Sequence, residues 1–346
     1  MNARLQAIDT AAHALRDWLL DGPAQLASGP EAGGVAGTLG AHGQVDYVYG
    51  EITGYYLHWL AGSQLPEDPR RQRNALRALA WCERRYGSGV RVPTRIALAQ
   101  DTADWRNDTE FCFDLAMLVG GLSAAAHAGL IAPPRALLST LLDRLAAYAD
   151  GDRLLPALPA AGLPARWSTR SGPFLVKAAA RIRSAALWVP LPAALDRATR
   201  GHALAFAPAQ VDSTAEPTHP TLYYLEGALA LGAPQPDHAR ILAELLALSD
   251  ATGTLPESLQ TPAVRRSDII AQALRVALLL QTPESALAPL ADALLARVAA
   301  NGSIAFQPAP APQVNVWCAM FAEQALSWYL RSQHEPVRPL DAGELV

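Results

Sequence analysis

The sequence predicts an all-α fold in which six helical hairpins close into an (α/α)6 toroid, and three observations carry that prediction. The first is a glycine-marked segment that returns about every fifty residues. Asp150-Gly151, Arg200-Gly201, Thr252-Gly253 and Asn301-Gly302 each follow a helical run and precede a short apolar stretch, with glycine spacings of 50, 52 and 49. A looser first copy begins at Tyr86-Gly87. Glycine just past a helix permits the left-handed backbone that turns the chain, and a unit of this length holds two helices of about 15 residues with their loops. The second observation is apolar spacing of period 3.6, bounded by Gly and Pro, in twelve segments. The third is a 51% hydrophobic, 17% charged composition, enough to surround an inner layer of helices on most sides.

The elements follow in order. A helix over 3–20 has an unpaired apolar face, so it is expected to close the ring as the sixth outer helix. A Gly/Pro-rich loop over 22–44 is too long for an ordinary connection. Five hairpins then pair an inner with an outer helix: 47–61 with 68–86, 107–129 with 134–149, 174–187 with 192–203, 219–232 with 236–250, and 267–281 with 284–299. The last inner helix, 315–331, has no successor and is left for helix 3–20. A short extended piece is expected after each outer helix, and 333–346 is read as a C-terminal tail. No linker separates two compositions, so residues 1–346 read as one toroid domain. The segment from Val92 to Asn107 is a second long loop, ending in Asp101-Thr102-Ala103-Asp104-Trp105-Arg106-Asn107-Asp108.

Charge and cysteine content exclude several classes. A net charge of -4 without a basic run argues against a nucleic-acid surface. Apolar stretches are interrupted well before the ~18 residues that a membrane span needs, and the N-terminus carries acid where a signal peptide is apolar, so the reading is cytoplasmic without membrane insertion. Cys82, Cys112 and Cys318 have no metal-ligand spacing and read as buried thiols; no metal or cofactor is implied. Oligomeric state is not encoded in any of these features.

The segments Tyr49-Gly50-Glu51-Ile52-Thr53-Gly54-Tyr55, Phe111 to Leu122, Thr218 to Gly227 and Asn301-Gly302-Ser303-Ile304 resemble inner-helix and loop segments of six-hairpin glycosidase-like toroids. That superfamily holds glycoside hydrolases, uronyl hydrolases, polysaccharide lyases and N-acylglucosamine epimerases, and no single member family is matched. The resemblance implies a carbohydrate-active enzyme of bacterial polysaccharide metabolism, with an oligosaccharide or sugar derivative as its partner.

Inner helices that line a funnel place their polar residues on one stripe. Glu51, Tyr55 and His58 form such a stripe, as do Glu110 and Asp114, Lys177, Arg181 and Ser184, His219, Tyr223 and Glu226, and Asp268, Gln272 and Arg275. A lone carboxylate in an apolar helix needs a partner or a use, so Glu226 is either a base or an ion pair with Arg266 or Arg275. Glu51 among Tyr47, Tyr49 and Tyr55 suits a sugar site, because ring faces stack and the carboxylate accepts from hydroxyls. Paired carboxylates protonate a leaving oxygen and activate water. Asp104 or Asp108 is therefore expected as proton donor, Glu51 or Glu226 as the opposing base, and His219 as a further acid–base group. Tyr49, Tyr55, Trp105, Tyr223, Arg266, Asp268 and Trp317 are expected to shape the substrate subsites. Alternatives on the same toroid are a sugar epimerase or lyase, a non-catalytic carbohydrate-binding or assembly protein, and a terpenoid cyclase-like enzyme.

Overall fold

The computed structural model describes residues 3–40, 42–98, 104–158, 162–212, 216–232, 236–308 and 313–346. Twelve α-helices lie within them. They are α1 (Ala3–Asp21), α2 (Gly50–Ala61), α3 (Pro69–Tyr86), α4 (Cys112–His127), α5 (Arg135–Ala146), α6 (Leu175–Ser184), α7 (Ala193–Ala205), α8 (Thr218–Leu231), α9 (Pro236–Leu246), α10 (Ser267–Leu279), α11 (Glu284–Leu295) and α12 (Val316–Ser332). Local chemistry sets several of these starts. Asp68 accepts from the Arg70 amide with Pro69 in the first turn of α3, and Asn315 accepts from the Cys318 amide at the start of α12.

Even-numbered helices form the inner layer. All thirteen residues of α10 are buried, and α2 and α4 are nearly so, whereas α3 and α9 bury one stripe and expose the rest. The inner helices pack α2 on α4, α4 on α6, α6 on α8, α8 on α10, α10 on α12 and α12 back on α2, which closes the (α/α)6 toroid. Helix α1 packs on α12 and against α3 and α11, and so supplies the sixth outer helix. At the α2–α4 crossing the two backbones touch. A β-carbon on Gly121 would lie 2.1 Å from the Gly54 carbonyl oxygen, and one on Gly54 would lie 2.4 Å from the Met117 backbone. Gly121→Ala is expected to lose about 1–3 kcal/mol or more by overpacking, measured by denaturant unfolding.

Eight short strands decorate one end of the ring: β1 (Thr38–Leu39), β2 (Tyr47–Tyr49), β3 (Arg95–Ala97), β4 (Glu110–Phe111), β5 (Ala149–Asp150), β6 (Arg153–Leu154), β7 (Ala157–Leu158) and β8 (Val314–Asn315). Antiparallel pairs clasp whole hairpins at the end where the inner helix begins. β2 pairs with β3 around α2 and α3, and β4 pairs with β7 around α4 and α5. The sixth hairpin is clasped in the same way by distant parts of the chain, β8 before α12 pairing with β1 after α1, Thr38 opposite Asn315.

The repeat glycines divide into two kinds. Gly151, Gly253 and Gly302 have φ of 56°, 76° and 80°, the left-handed turn the sequence predicts. Gly201 departs from it. It sits inside α7, and the reason for glycine there is the neighbouring loop, since a β-carbon would lie 2.5 Å from that of Asp152. In the first copy Gly89, rather than Gly87, takes the positive φ. Beyond α12 the chain turns back under the ring. A 3-10 segment, Pro339–Glu344, leads to Leu345 and Val346, both fully buried, and Arg181 reaches the carbonyls of Gly343 and Leu345.

Candidate active site

The first turns of the inner helices converge on one end of the toroid, where a cavity of about 560 Å³ opens. Strand alternation carried into each helix sets its walls. Tyr47 and Tyr49 face the cavity while Val48 between them is core; Phe111 and Phe113 face it while Cys112 is core; Asn315 and Trp317 face it while Val316 is core. Trp105, Trp167, Phe174 and Phe306 complete an aromatic wall, interleaved with Arg95, Arg106, Arg166 and Arg266 and with Asp46 and Glu257.

Two carboxyls occupy the floor. Glu51 lies in the first turn of α2 and Asp114 in the first turn of α4, and both line the cavity. Burial pushes Glu51 up to about 7, against the pull of Lys177 and of the phenols of Tyr49, Tyr55 and Tyr223. Burial and then the Glu51 charge raise Asp114 well above the carboxylate range, although the Thr94 hydroxyl donates to it at 2.5 Å and Tyr49 interacts with both carboxyls. Burial of both acids, with the Glu51 charge acting on Asp114, favours their protonated forms. Such a pair can donate a proton to a substrate oxygen and take one back.

His219, in the first turn of α8, is held differently. Gln272 Nε2 donates to the Glu226 carboxylate at 3.3 Å, so its oxygen faces His219 Nδ1 at 2.6 Å and that nitrogen carries the proton. Nε2 is then the lone-pair nitrogen of a ring that lines the cavity. Burial, followed by the Arg266 charge, lowers the imidazole to about 4, so it is neutral at pH 7. The His219 and Tyr223 rings lie 4.2 Å apart, and the Tyr223 hydroxyl is 3.5 Å from Glu51. A neutral base and a proton-bearing acid pair thus share one floor.

Of the residues expected from the sequence, Glu51, Tyr49, Trp105, His219, Tyr223, Arg266 and Trp317 line the cavity. Tyr55 lies just beneath it, 1% exposed. Asp268 is fully buried behind the wall. Burial opposes its charge, but Arg266 at 2.5 Å and His219 hold it at about 2, and Trp317 Nε1 donates to it at 3.1 Å. It anchors Arg266 and Trp317 instead of facing substrate.

Three other expected acids are placed away from the floor. Glu226 is fully buried on the far side of Tyr223, bonded to Lys177 at 2.7 Å and Arg275 at 2.6 Å, and those cations lower it although burial raises it. Asp104 caps a 3-10 turn, Trp105–Asp108, by accepting from the Arg106 amide, and it is ion-paired with Arg95 and Arg106. The Arg106 hydrogen bonds hold it at about 2, so it has no proton to give at neutral pH. Asp108 is exposed and outside the lining, and Asp101 falls outside the described residues. Asp104→Asn is expected to loosen Arg95 and Arg106 yet leave the pH profile of turnover unmoved, which a kcat/KM titration between pH 4 and 9 checks.

Among the described residues no group of three or more His, Cys, Asp or Glu side chains is placed to hold a metal ion. Cys82, Cys112 and Cys318 are buried, and burial raises each thiol. No helix among the described residues is long and apolar enough to cross a membrane.

Neither a protein-family model nor a curated protein sequence matches the chain. Solved structures do. A D-mannose isomerase superposes with a TM-score of 0.66 at 15% identity over 96% of this chain and 99% of its own. An unsaturated glucuronyl hydrolase from Bacillus sp. GL1, described as responsible for the degradation of glycosaminoglycan, gives 0.64 at 15% identity over 95% of both chains. A type II terpene cyclase from Scytonema gives 0.59 at 13% identity over 96% and 99%. The chain has the six-hairpin toroid that these enzymes share; at such identities the likeness is one of fold.

Proposed function

We propose that the protein is a carbohydrate-active enzyme working by general acid–base catalysis, with the Glu51–Asp114 pair as its proton donor. The single observation that carries this is two carboxyls, Glu51 and Asp114, in the first turns of neighbouring inner helices at the floor of a cavity walled by aromatic rings and arginines, where burial favours their protonated forms. Ring faces suit the apolar faces of a sugar, and the interleaved polar groups suit its hydroxyls. In the hydrolytic reading the pair protonates a glycosidic oxygen, and the carboxylate that remains activates water. The oligosaccharide enters from the open end, and Asp268 fixes Arg266 and Trp317 against it.

A second reading, isomerisation or epimerisation of a free sugar, draws on His219. A neutral imidazole with Nε2 unprotonated is equipped to take a proton from carbon while the carboxyl pair supplies one to oxygen. A hydrocarbon substrate of the terpenoid kind fits the rings but makes no use of the arginines, Asp46 and Glu257 interleaved with them. The test is turnover of neutral and acidic oligosaccharides and of free aldoses in D2O, followed by NMR. New reducing ends without carbon-bound deuterium support hydrolysis. Deuterium at carbon in recovered sugar supports the isomerase reading, and binding without turnover of any sugar would overturn the enzyme assignment in favour of a carbohydrate-binding protein.

A further inference from the structure

Behind Trp167 lies a second chamber of about 310 Å³. Arg166, Trp167 and Phe174 belong to the walls of both chambers, so the two spaces are separated by little more than one indole. That indole is held edge-on to Phe174 at 5.1 Å and to His219 at 5.9 Å. The partition therefore stands beside the floor residues described above. The far walls of the second chamber mix prolines with polar groups, of which Arg170, Glu216 and Gln260 reach furthest in charge and hydrogen-bonding capacity.

Size and charge narrow what fits. A volume of ~300 Å³ sits at the lower end of small-molecule sites, room for one further ring and not for a polymer segment. Arg166 and Arg170 are both exposed. Glu216 is the one acid in that lining, half-buried and with Arg170 near enough to act on its charge. Two guanidinium groups against one carboxyl leave the chamber one positive charge in excess, and guanidinium pairs well with a planar carboxylate.

We propose that the chamber behind Trp167 is a second sugar subsite for a unit bearing a carboxylate, so that the substrate is an acidic oligosaccharide of at least two units. This rests on the carbohydrate reading of the first chamber. One ring lies over the carboxyl floor, the chain passes the edge of Trp167, and the next ring presents its carboxylate to Arg166 and Arg170.

Calorimetric titration with galacturonic acid, digalacturonic acid, glucuronic acid, cellobiose and maltose tests it, using the intact protein and an Arg170→Ala variant. Arg170 is exposed and belongs to the second chamber alone, so the variant is expected to keep its melting temperature. Digalacturonic acid is expected to bind at least ~10-fold tighter than either monomer, a gain of one charge-assisted contact. That gain is lost in Arg170→Ala, while monomer affinity is unchanged and neutral disaccharides show no gain. Monomers that bind as tightly as the dimer, or a dimer gain that survives Arg170→Ala, overturn the subsite and leave the carbohydrate reading standing. Failure of every sugar to bind overturns both.

Discussion

Glu51→Gln is expected to abolish most turnover and, at the same time, to make the protein more stable at neutral and alkaline pH. Removing one member of an acid–base pair takes roughly 10²- to 10⁴-fold from kcat, and the amide keeps the shape of the floor. The stability effect follows from the sign of the proton linkage. Burial lifts Glu51 from its ordinary 4.5 to about 7, so between those values the folded state binds more protons than the unfolded state. Stability therefore falls as pH rises through that window and is lowest above it, by about 3 kcal/mol for this group. Asp114, raised in the same way, adds to the fall. Glutamine has no charge to bury, so the variant's melting temperature should exceed that of the parent at pH 8 and approach it at pH 4.5. Calorimetry at the two pH values together with single-substrate kinetics checks both halves. A variant with full turnover would remove Glu51 from the chemistry.

Glu226→Leu should have the opposite profile, a severe loss of stability. The carboxylate is fully buried between Lys177 and Arg275, and the Lys177 ammonium, itself lowered to about 7 by burial, also donates to the Val346 carbonyl at 2.9 Å. Deleting the anion leaves the Arg275 charge without its counter-ion in a desolvated core and drives Lys177 toward the neutral amine, which together cost about 3–5 kcal/mol. A double change, Lys177→Met with Glu226→Leu, removes the buried amine and should recover part of the loss. Urea unfolding of the single and double variants measures this. A single variant as stable as the parent would show that the triad is already solvated.

The fold was legible because the signals for it are local and repeated. Glycine after a helix, proline at its first turn and a 3.6-residue apolar period each act within one hairpin, and six copies reinforce one another. The 107–129 helix begins later, at Cys112, because Glu110 and Phe111 pair with Leu158 and Ala157 in a ladder that no local pattern announces. Site residues on helix first turns, such as Glu51 and His219, stood out by their polarity in apolar surroundings. Glu226 stood out for the same reason, yet its surroundings are two cations, one of which, Arg275, was among the partners its isolation suggested. Asp114 shared its stripe with Glu110, and sequence spacing does not tell a floor carboxyl from one bound to Arg144 at the outer wall. Trp167 and Arg166 sit in a connection whose place over the cavity depends on the contact of Trp167 with His219 in α8, far along the chain.

The clasp between β1 and β8 also sets a schedule for biosynthesis. Helix α1 emerges from the ribosome before α12, and its apolar face, which carries Ile8, Leu15 and Leu19, has its partner in that later helix. Roughly 300 residues separate the two helices, so at ~5–20 residues per second the face waits about 15–60 s for its cover. Until then the nascent toroid is an open arc with sticky surfaces at both ends, α1 on one and the unfinished inner wall on the other. Such an arc exposes the surfaces through which neighbouring nascent chains can pair, the α12 of one copy satisfying the α1 of another.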